Sequence, residues 1–375
     1  MRVLFAGGGT GGHVYPAIAM ISELRRWNPD AEIGYVGTRR GLEARIVPER
    51  GDARFFPIHV KGLKHAGPGS TLRTLAWLVI AMIETLVVLI RFRPQIVIGV
   101  GGHSSFPPLF LAALIGKVLP VRTLIHEQNV IGGLANRILA RFVDSVLISF
   151  RESARSFPRA RRLVVTGNPI REEMLHEKRT DAAYSLFGLD PERRTILVFG
   201  GSGGSDEITE QIRAGRAGIA ANPELQILLI TGDANRTESL REEMRSAGAA
   251  NVVVETYVDR MGAAFAVADL VVCRAGATSL AEITACGKAS LLVPWRGAAD
   301  DHQWKNARSF QAEGACTVAD EEIIVRHGLV RLMQELADDE TRLARLAANA
   351  RRNGRRDAGF AILKEIRALM REAAV

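Results

Sequence analysis

A glycine-rich turn followed by a histidine stands near the start of the chain. After the apolar residues 3–6 the sequence reads GGGTGGH over 7–13. Glycines let the backbone come close to a ligand, and a helix that follows them directs its N-terminal N–H groups at that ligand. Because the N-terminal dipole disfavours an imidazolium, His13 is expected to be neutral and able to accept a proton. His13 is therefore a candidate general base, and its alternative role is to brace the turn.

The same turn matches the G-x-G-x-x-G spacing of a dinucleotide site through Gly7, Gly9 and Gly12. Such a site also needs an acidic residue at the end of the second strand to hold a ribose. Arg39 and Arg40 stand there instead, and an arginine is compatible with NADP. We favour a turn that cradles a sugar or a phosphate, and an NADP-dependent oxidoreductase is the alternative function.

Two further motifs follow predicted strands of the first half, GVGGHSS at 99–105 and HEQN at 126–129. Ligands of open α/β sheets collect at this end of the strands. Glu127 is thus a second candidate base, although a loop or helix-capping hydrogen bond is its favoured role. The Asn129 amide is suited to hydroxyl recognition.

The second half carries its own set of polar motifs. GGSGG at 200–204 predicts an anion nest of backbone N–H groups with the Ser202 hydroxyl. A helix is predicted to begin at Ala277, and the Glu282 carboxylate on it can accept hydrogen bonds from both hydroxyls of a ribose. The alternative for Glu282 is a solvated helix position. Gln303, after a later strand, is placed to reach sugar hydroxyls.

Alternating short β-branched runs and helical patterns position these motifs. This order is typical of parallel βαβ units, and the two glycine turns at 3–13 and 196–205 predict two Rossmann-like domains. We place them at 1–168 and 169–375, with the last helix packing back on the first domain. Strands are predicted at 3–6, 33–37, 57–60, 96–100, 123–126, 145–149, 163–166, 195–199, 226–231, 252–256, 270–273 and 290–294, and helices at 15–27, 105–119, 207–220, 278–286, 303–313 and 360–374.

Composition limits the class of protein and its partners. The 375 residues carry a net charge of +8 and three cysteines, too few and too dispersed for a disulfide scaffold or a cysteine zinc site. Residues 1–168 hold 22 Lys and Arg against 10 Asp and Glu, whereas the remainder holds 27 against 31. The basic half therefore indicates an anionic partner, and without interleaved aromatics we expect no nucleic acid. The N-terminus offers no signal peptide, so a cytoplasmic protein is expected.

An apolar segment at 75–92 indicates a second kind of partner. Its longest uninterrupted apolar run is the nine residues 75–83, which Glu84 interrupts, whereas a spanning helix needs about 20. Two interpretations stay open. One is a helix that touches an anionic bilayer, aided by flanking cations, and the other is a crossover helix buried on a sheet. The flanking cations are Lys61, Lys64, Arg73, Arg91 and Arg93.

Taken in order, the motifs resemble those of the MurG family, UDP-N-acetylglucosamine transferases of peptidoglycan synthesis. The resemblance runs from about residue 2 to about residue 315 through GGGTGGHVYPAIA, GTRRGLEARIVP, GGHSSFPP, HEQNVIGGLANR, GNPIR, GGSGG, RAGATSLAEI and DDHQWKNA. It implies a GT-B fold, with two Rossmann-like domains facing across a cleft. It also implies transfer with inversion, without a metal or other cofactor, from UDP-GlcNAc to the lipid-linked acceptor lipid I. A peripheral location on the cytoplasmic face of the inner membrane and contacts with other cell-wall synthesis proteins are implied as well.

The resemblance also implies residue roles. His13 is similar to the family's candidate base. The residues implied to bind UDP-GlcNAc are Thr10, Gly11, Gly12, Asn129, Arg171, Ser202, Val258, Ala277, Thr278, Ser279, Leu280, Ala281, Glu282 and Gln303. Ser279 replaces an expected threonine, Arg296 stands where a proline or a polar residue is more usual, and Gly203 replaces a glutamine. A membrane-peripheral UDP-sugar-binding protein without transferase activity, and a UDP-sugar epimerase of the same fold, remain as further alternatives.

Overall fold

The computed structural model describes residues 1–60, 68–201 and 203–372, with the backbone alone at 68–73 and 75. The chain divides into two units. Unit 1 comprises Met1–Arg171 and Asp357–Val375, and unit 2 comprises Glu172–Arg356. The division falls after Arg171, next to the expected boundary at 168, and the last helix belongs to unit 1.

Unit 1 is built on a parallel sheet whose strand order is β3-β2-β1-β4-β5-β6-β7. Its strands are β1 (Arg2–Ala6), β2 (Glu32–Thr38), β3 (Arg54–Ile58), β4 (Ile96–Gly99), β5 (Arg122–Glu127), β6 (Ser145–Ile148) and β7 (Leu163–Val165). The helices of unit 1 are α1 (Gly11–Trp27), α2 (Glu43–Arg50), α3 (Pro68–Phe92), α4 (Phe106–Ile115), α5 (Leu134–Leu139) and α17 (Ala358–Glu372).

The central strands of this sheet are covered on both faces. Alternate residues of β1 enter two separate cores, with Val3 and Phe5 on the side of α1 and α17 and Leu4 and Ala6 on the side of α3 and α4. Such two-sided burial explains why the strands read as continuous apolar runs rather than as alternating patterns. The edge strand β3 begins at Arg54, three residues before the predicted start, because its pairing with β2 starts there.

Unit 2 is built on a second parallel sheet, in the order β10-β9-β8-β11-β12-β13. Its strands are β8 (Arg194–Phe199), β9 (Leu225–Ile230), β10 (Val252–Glu255), β11 (Leu270–Cys273), β12 (Ala289–Leu292) and β13 (Thr317–Val318). Its helices are α6 (Glu173–His176), α7 (Asp181–Ser185), α8 (Asp206–Ala214), α9 (Arg216–Ala220), α10 (Ala234–Ser246), α11 (Met261–Val267), α12 (Ala277–Cys286), α13 (His302–Ala312), α14 (Glu321–His327), α15 (Leu329–Asp338) and α16 (Glu340–Asn353).

The expectation of one helix over 207–220 was wrong. The segment is two helices, α8 and α9, separated at Gly215. A Cβ at Gly215 would lie 2.4 Å from Val330 Cγ2, so the backbone packs directly on α15 at this point. The two-residue strand β13 was not predicted, because so short an edge strand has no period to detect.

Helix α3 has one buried face and one exposed face. Ala81, Thr85 and Leu89 are buried toward the sheet. The opposite side continues onto α4, which packs against α3, and beyond its end. We call this surface the apolar face; it consists of the exposed side chains Val79, Ile80, Ile83, Leu86, Val87, Ile90, Leu114, Val118 and Leu119. Across the described residues, no helix combines the length and apolarity needed to span a membrane.

Candidate active site

In unit 1 the two glycine turns meet at the carboxyl ends of β1 and β4. The chain order of the sheet reverses between these strands, which is where open α/β sheets bind ligands. Gly8 N lies 3.4 Å from Gly101 O, and a Cβ at Gly102 would lie 2.5 Å from Gly8 O. Only glycines allow this approach, so the composition of both turns follows from their contact.

His13 lies in the first turn of α1 and is half-buried. Its Nδ1 is 3.1 Å from Gly8 O and 3.3 Å from Thr10 Oγ1. Because a carbonyl oxygen can only accept, Nδ1 carries the proton in the neutral ring and the lone pair is on Nε2. This is the tautomer that a general base needs.

Glu43, which the sequence analysis did not single out, lies behind the first glycine turn. Its side chain is fully buried at the start of α2. Oε2 accepts a hydrogen bond from Gly9 N at 2.8 Å, and Oε1 accepts bonds from Thr38 N at 2.8 Å and Thr38 Oγ1 at 2.7 Å. Its only signal in the sequence was an acid five residues after β2. Since both oxygens are engaged, this carboxylate is not placed to hold a ribose.

A second buried network crosses the end of β5. His126 Nε2 donates to Gly167 O at 3.0 Å, and its Nδ1 accepts from Gln128 Nε2 at 3.1 Å. Gln128 Nε2 also donates to Val100 O at 2.9 Å. The network ties the turn after β4 to the segment that leads out of unit 1. Burial lowers the pKa of His126 to about 4, and the bond to Gly167 opposes this shift.

We expect His126 to make stability depend on pH. Its pKa is lower in the folded chain than in the unfolded chain, so the unfolded chain binds the proton first and stability falls as pH drops below about 6.5. Between about pH 7.5 and about pH 5 the loss attributable to this group is about 2 kcal/mol. Urea unfolding of wild type and His126→Gln at both pH values measures it. Equal losses in the two proteins would contradict the assignment.

Glu127 is buried and holds the loop after β5. Oε1 accepts bonds from Asn129 N at 3.0 Å and Asn129 Nδ2 at 3.3 Å. Oε2 accepts bonds from Gly133 N and Asn136 Nδ2, both at 2.9 Å. Four donors on one carboxylate are the loop-bonding role that the sequence analysis favoured. They also orient the Asn129 amide.

The remaining site candidates of unit 1 lie around α1. Thr10 is exposed, Gly11 and Gly12 open the helix, and Arg171 stacks its guanidinium 5.1 Å from the centroid of the Tyr15 ring. The structure thus brings the candidates on α1 and at the ends of β4 and β5 to one edge of the sheet.

In unit 2 the glycine turn after β8 is tightly packed. A Cβ at Gly200 would lie 2.2 Å from Gly204 C, and one at Gly204 would lie 2.0 Å from Thr231 O. Helix α8 follows, capped by Ser205 Oγ, which accepts from Ile208 N at 3.3 Å. Ser202 lies outside the described residues.

Helix α12 begins at Ala277, as predicted, with Gly276 as its N-cap. Thr278, Leu280 and Glu282 are buried, whereas Ser279 and Ala281 are half-buried. The solvated alternative for Glu282 was therefore wrong, because its side chain is only 5% exposed. Burial of the neighbouring Cys273 thiol is the main cause that raises the pKa of this thiol, and the charge of Glu282 raises it further.

The loop after β12 holds Gln303 in place. Gln303 Oε1 accepts a bond from Trp295 N at 3.0 Å, which turns the amide toward the end of the strand. Arg296, the unusual residue of this loop, is exposed and pairs with Glu321 at 3.4 Å. Val258, in the loop after β10, is buried.

Arg274 was also missed from the sequence. It is buried at the end of β11, where its Nη2 donates to Glu207 Oε2 at 2.8 Å and its Nη1 to Val293 O at 3.2 Å. The guanidinium thereby joins the first turn of α8 to the segments that follow β11 and β12 at the carboxyl edge of the sheet. Over the described part of the chain, no group of three or more His, Cys, Asp or Glu side chains is placed to hold a metal ion.

Two Rossmann-like units, each built on a parallel sheet with polar groups at its carboxyl edge, are the architecture of the GT-B fold, and the family matches identify the class as a glycosyltransferase. Residues 3–148 match the glycosyltransferase family 28 N-terminal domain, and residues 195–360 match its C-terminal domain. A crystal structure of Acinetobacter baumannii MurG superposes with a TM-score of 0.74 over 98% of this chain and 99% of that one, at 24% identity. A UDP-N-acetylglucosamine 2-epimerase shares the fold, with a TM-score of 0.65 at 14% identity over 97% of this chain and 94% of that one.

Full-length relatives define the family more narrowly. A protein of Lactiplantibacillus plantarum is 38% identical over 97% of this chain and 98% of its own length. One of Halothermothrix orenii is 40% identical over 95% of each chain. Both are named UDP-N-acetylglucosamine–N-acetylmuramyl-(pentapeptide) pyrophosphoryl-undecaprenol N-acetylglucosamine transferase. The chain belongs to this family, the MurG family.

Proposed function

We propose that this protein transfers GlcNAc from UDP-GlcNAc to the 4-hydroxyl of MurNAc in undecaprenyl-pyrophosphoryl-MurNAc-pentapeptide, which converts lipid I to lipid II. The observation that carries the proposal is full-length identity of 38% to 40% with transferases so named. Such a transfer requires a base, hydroxyl ligands and diphosphate ligands, and the site candidates of the two units have the chemistry for these roles.

The donor nucleotide is assigned to unit 2. The buried Glu282 carboxylate accepts bonds from the ribose hydroxyls, and the loop at Val258 offers backbone groups to the uracil. The N-terminal residues of α12, from Ala277 to Ala281, contact the ribose and the diphosphate. Gln303, held by its oxygen, presents its amide N–H groups to the sugar. Arg171, which ends unit 1, is the cation assigned to the diphosphate, together with the sequence candidate Ser202.

The acceptor hydroxyl is activated by His13. Nε2 takes the hydroxyl proton while the oxygen attacks the anomeric carbon of GlcNAc, and the bond from that carbon to the UDP oxygen breaks. Thr10, Gly11 and Gly12 lie beside the base, and Asn129 binds a sugar hydroxyl. Negative charge grows on the departing UDP, where N-terminal helix dipoles and a guanidinium stabilise it. A direct displacement of this kind inverts the configuration at the anomeric carbon.

The apolar face is assigned to an anionic bilayer, with the protein peripheral on the cytoplasmic side of the inner membrane. Ile83 and Ile90 are each 60% exposed, which is unusual for a water-facing helix. Glu84, on the same helix, does not disturb this face, because it binds His59 N at 2.7 Å and His59 Nδ1 at 2.6 Å. Arg91, Arg93 and Lys117 are exposed nearby in the chain. Lys61 and Lys64 lie outside the described residues, as does the side chain of Arg73.

Ile83→Glu is expected to weaken binding to vesicles that contain phosphatidylglycerol by about tenfold or more. Burying one isoleucine contributes roughly 1.5–3 kcal/mol, and the new carboxylate is repelled by the anionic surface. Vesicle sedimentation measures the effect. Leu186→Glu, at an exposed leucine of unit 2, is the matched control and should bind as wild type. Equal loss in both variants would contradict this docking surface.

The transfer itself is tested with radiolabelled UDP-GlcNAc and a short-chain lipid I analogue. The proposal predicts a labelled disaccharide lipid. UDP binding without any transfer would instead support the non-catalytic sugar-binding alternative. A fluorescence change on titration with NADPH would support the oxidoreductase, which the comparisons do not favour.

A further inference from the structure

Glu43 and His13 bind opposite ends of one peptide group. His13 Nδ1 donates to the carbonyl oxygen of Gly8 at 3.1 Å. The N–H of the same peptide unit belongs to Gly9, and it donates to Glu43 Oε2 at 2.8 Å. A carboxylate, a peptide and an imidazole therefore form a continuous hydrogen-bonded chain. Both residues are in unit 1, 30 positions apart in the sequence.

The surroundings hold the Glu43 carboxylate in this place. The side chain is 0% exposed, and a Cβ at Gly8, Gly37 or Gly41 would come within 2.2 to 2.4 Å of its atoms. Thr38 fixes the other oxygen with two donors. Gly8 has φ +149° and Gly9 has φ +92°, which are conformations that glycine adopts readily. The three glycines and Thr38 thus form a fitted site for one carboxylate.

We propose that Glu43 is a positioning residue for His13 that acts through the Gly8–Gly9 peptide group. The proposal rests on the proposed function, in which His13 is the base. Hydrogen bonds to a charged acceptor are stronger than neutral ones, and bonds in a chain polarise one another. The carboxylate makes Gly8 O a better acceptor, which fixes the Nδ1–H tautomer. When Nε2 takes the acceptor proton, the same chain stabilises the imidazolium, and the Nδ1 proton stays on the ring.

Other ionisable groups lie near the hydrogen-bonded chain that joins Glu43, the Gly8–Gly9 peptide and His13. Tyr35 on β2 and His103 after β4 both feel the Glu43 charge. Burial raises the pKa of the Tyr35 phenol far above its usual range and lowers the pKa of His103, against the pull of Glu43. Arg171 stacks on Tyr15, two residues beyond His13. Glu43 is the group bonded to the peptide that His13 contacts.

Glu43→Gln removes the negative charge of the carboxylate. It also places the glutamine NH₂ group opposite one of the N–H groups from which the carboxylate accepts a hydrogen bond. We expect kcat to fall about tenfold to a hundredfold, less than when the carboxylate touches the histidine directly. The acidic limb of the kcat/KM profile should move to lower pH, because the imidazolium loses stabilisation. Glu49→Gln, at an exposed carboxylate of the same helix α2, is the matched control, with the limb in its wild-type position.

Two further measurements separate positioning from simple support of the fold. In a His13→Ala background, Glu43→Gln should cost less than about twofold, because its effect passes through the missing ring. NMR titration of the His13 ring nitrogens in Glu43→Gln should show the same shift to lower pH, and this measurement does not depend on activity. If the kcat losses of His13→Ala and Glu43→Gln were additive and the His13 titration did not shift, the proposal would be overturned. If Glu43→Gln does not fold, Glu43→Asp, which withdraws the carboxylate from Gly9, must lower kcat or the proposal fails.

Failure of the proposed function would look different. If His13→Ala retained kcat within a few-fold of wild type, His13 would not be the base, whatever Glu43→Gln did. If His13→Ala were inactive while Glu43→Gln kept wild-type kcat and an unmoved limb, only the positioning role would be lost.

Discussion

His13→Ala should lower kcat by roughly 100-fold to 10,000-fold, the usual contribution of a positioned general base. The ring has its lone pair on Nε2 because Nδ1 is bonded to Gly8 O at 3.1 Å. The KM for UDP-GlcNAc should change little, because the nucleotide is assigned to unit 2. Steady-state kinetics with varied donor measures both quantities.

Glu127→Gln separates the two candidate bases. The Glu127 carboxylate already accepts four hydrogen bonds, so its replacement should disturb the Asn129 loop and raise the KM for a sugar substrate. The acidic limb of the kcat/KM profile should persist in Glu127→Gln and disappear in His13→Ala. The reverse pattern would assign the base to Glu127.

Glu282→Ala should raise the KM for UDP-GlcNAc about a hundredfold with kcat nearly unchanged. Two hydrogen bonds from ribose hydroxyls to a buried carboxylate contribute about 3 kcal/mol together, which equals about two powers of ten in affinity. The side chain is 5% exposed, so water cannot replace it cheaply. Steady-state kinetics with varied UDP-GlcNAc measures the change. Glu282→Gln, which keeps the size of the side chain and one acceptor oxygen, should have a KM between those of wild type and Glu282→Ala.

A substrate analogue checks the same contact from the other side. The 2′-deoxy form of UDP-GlcNAc should bind wild type more weakly than UDP-GlcNAc does, whereas in Glu282→Ala the absence of the 2′-hydroxyl should change affinity little. Equal penalties in both proteins would show that the ribose and Glu282 do not meet. Circular dichroism of the variant guards against loss of fold.

The sequence was sufficient for those parts of the site that depend on local pattern. A strand, a run of glycines and a helix start predicted the turn at His13, and the same logic placed the start of α12 at Ala277. The parallel strands were found with ends that differ by a few residues, because two-sided burial gives continuous apolar runs. Among the strands of the described residues, the edge strand β13 alone went unnoticed.

The remainder depends on contacts between distant residues. Glu43 meets Gly9 across 34 positions and Arg274 meets Glu207 across 67, and no local period reports such pairs. The burial of Glu282 depends on the helices packed against α12, among them α16 and α6. Likewise, the helix break at Gly215 is set by Val330 on another helix. Local patterns therefore predicted which elements carry the site, but not which side chains support it.

The configuration of the new glycosidic bond is the most direct test of the proposed displacement. A single base and a direct displacement convert the α-linked GlcNAc of UDP-GlcNAc into a β-linked product. Proton NMR of the disaccharide formed with a soluble lipid I analogue reports the anomeric coupling. A direct displacement gives a β linkage from the first turnovers onward, whereas an α linkage would require a different mechanism and would contradict the role given to His13.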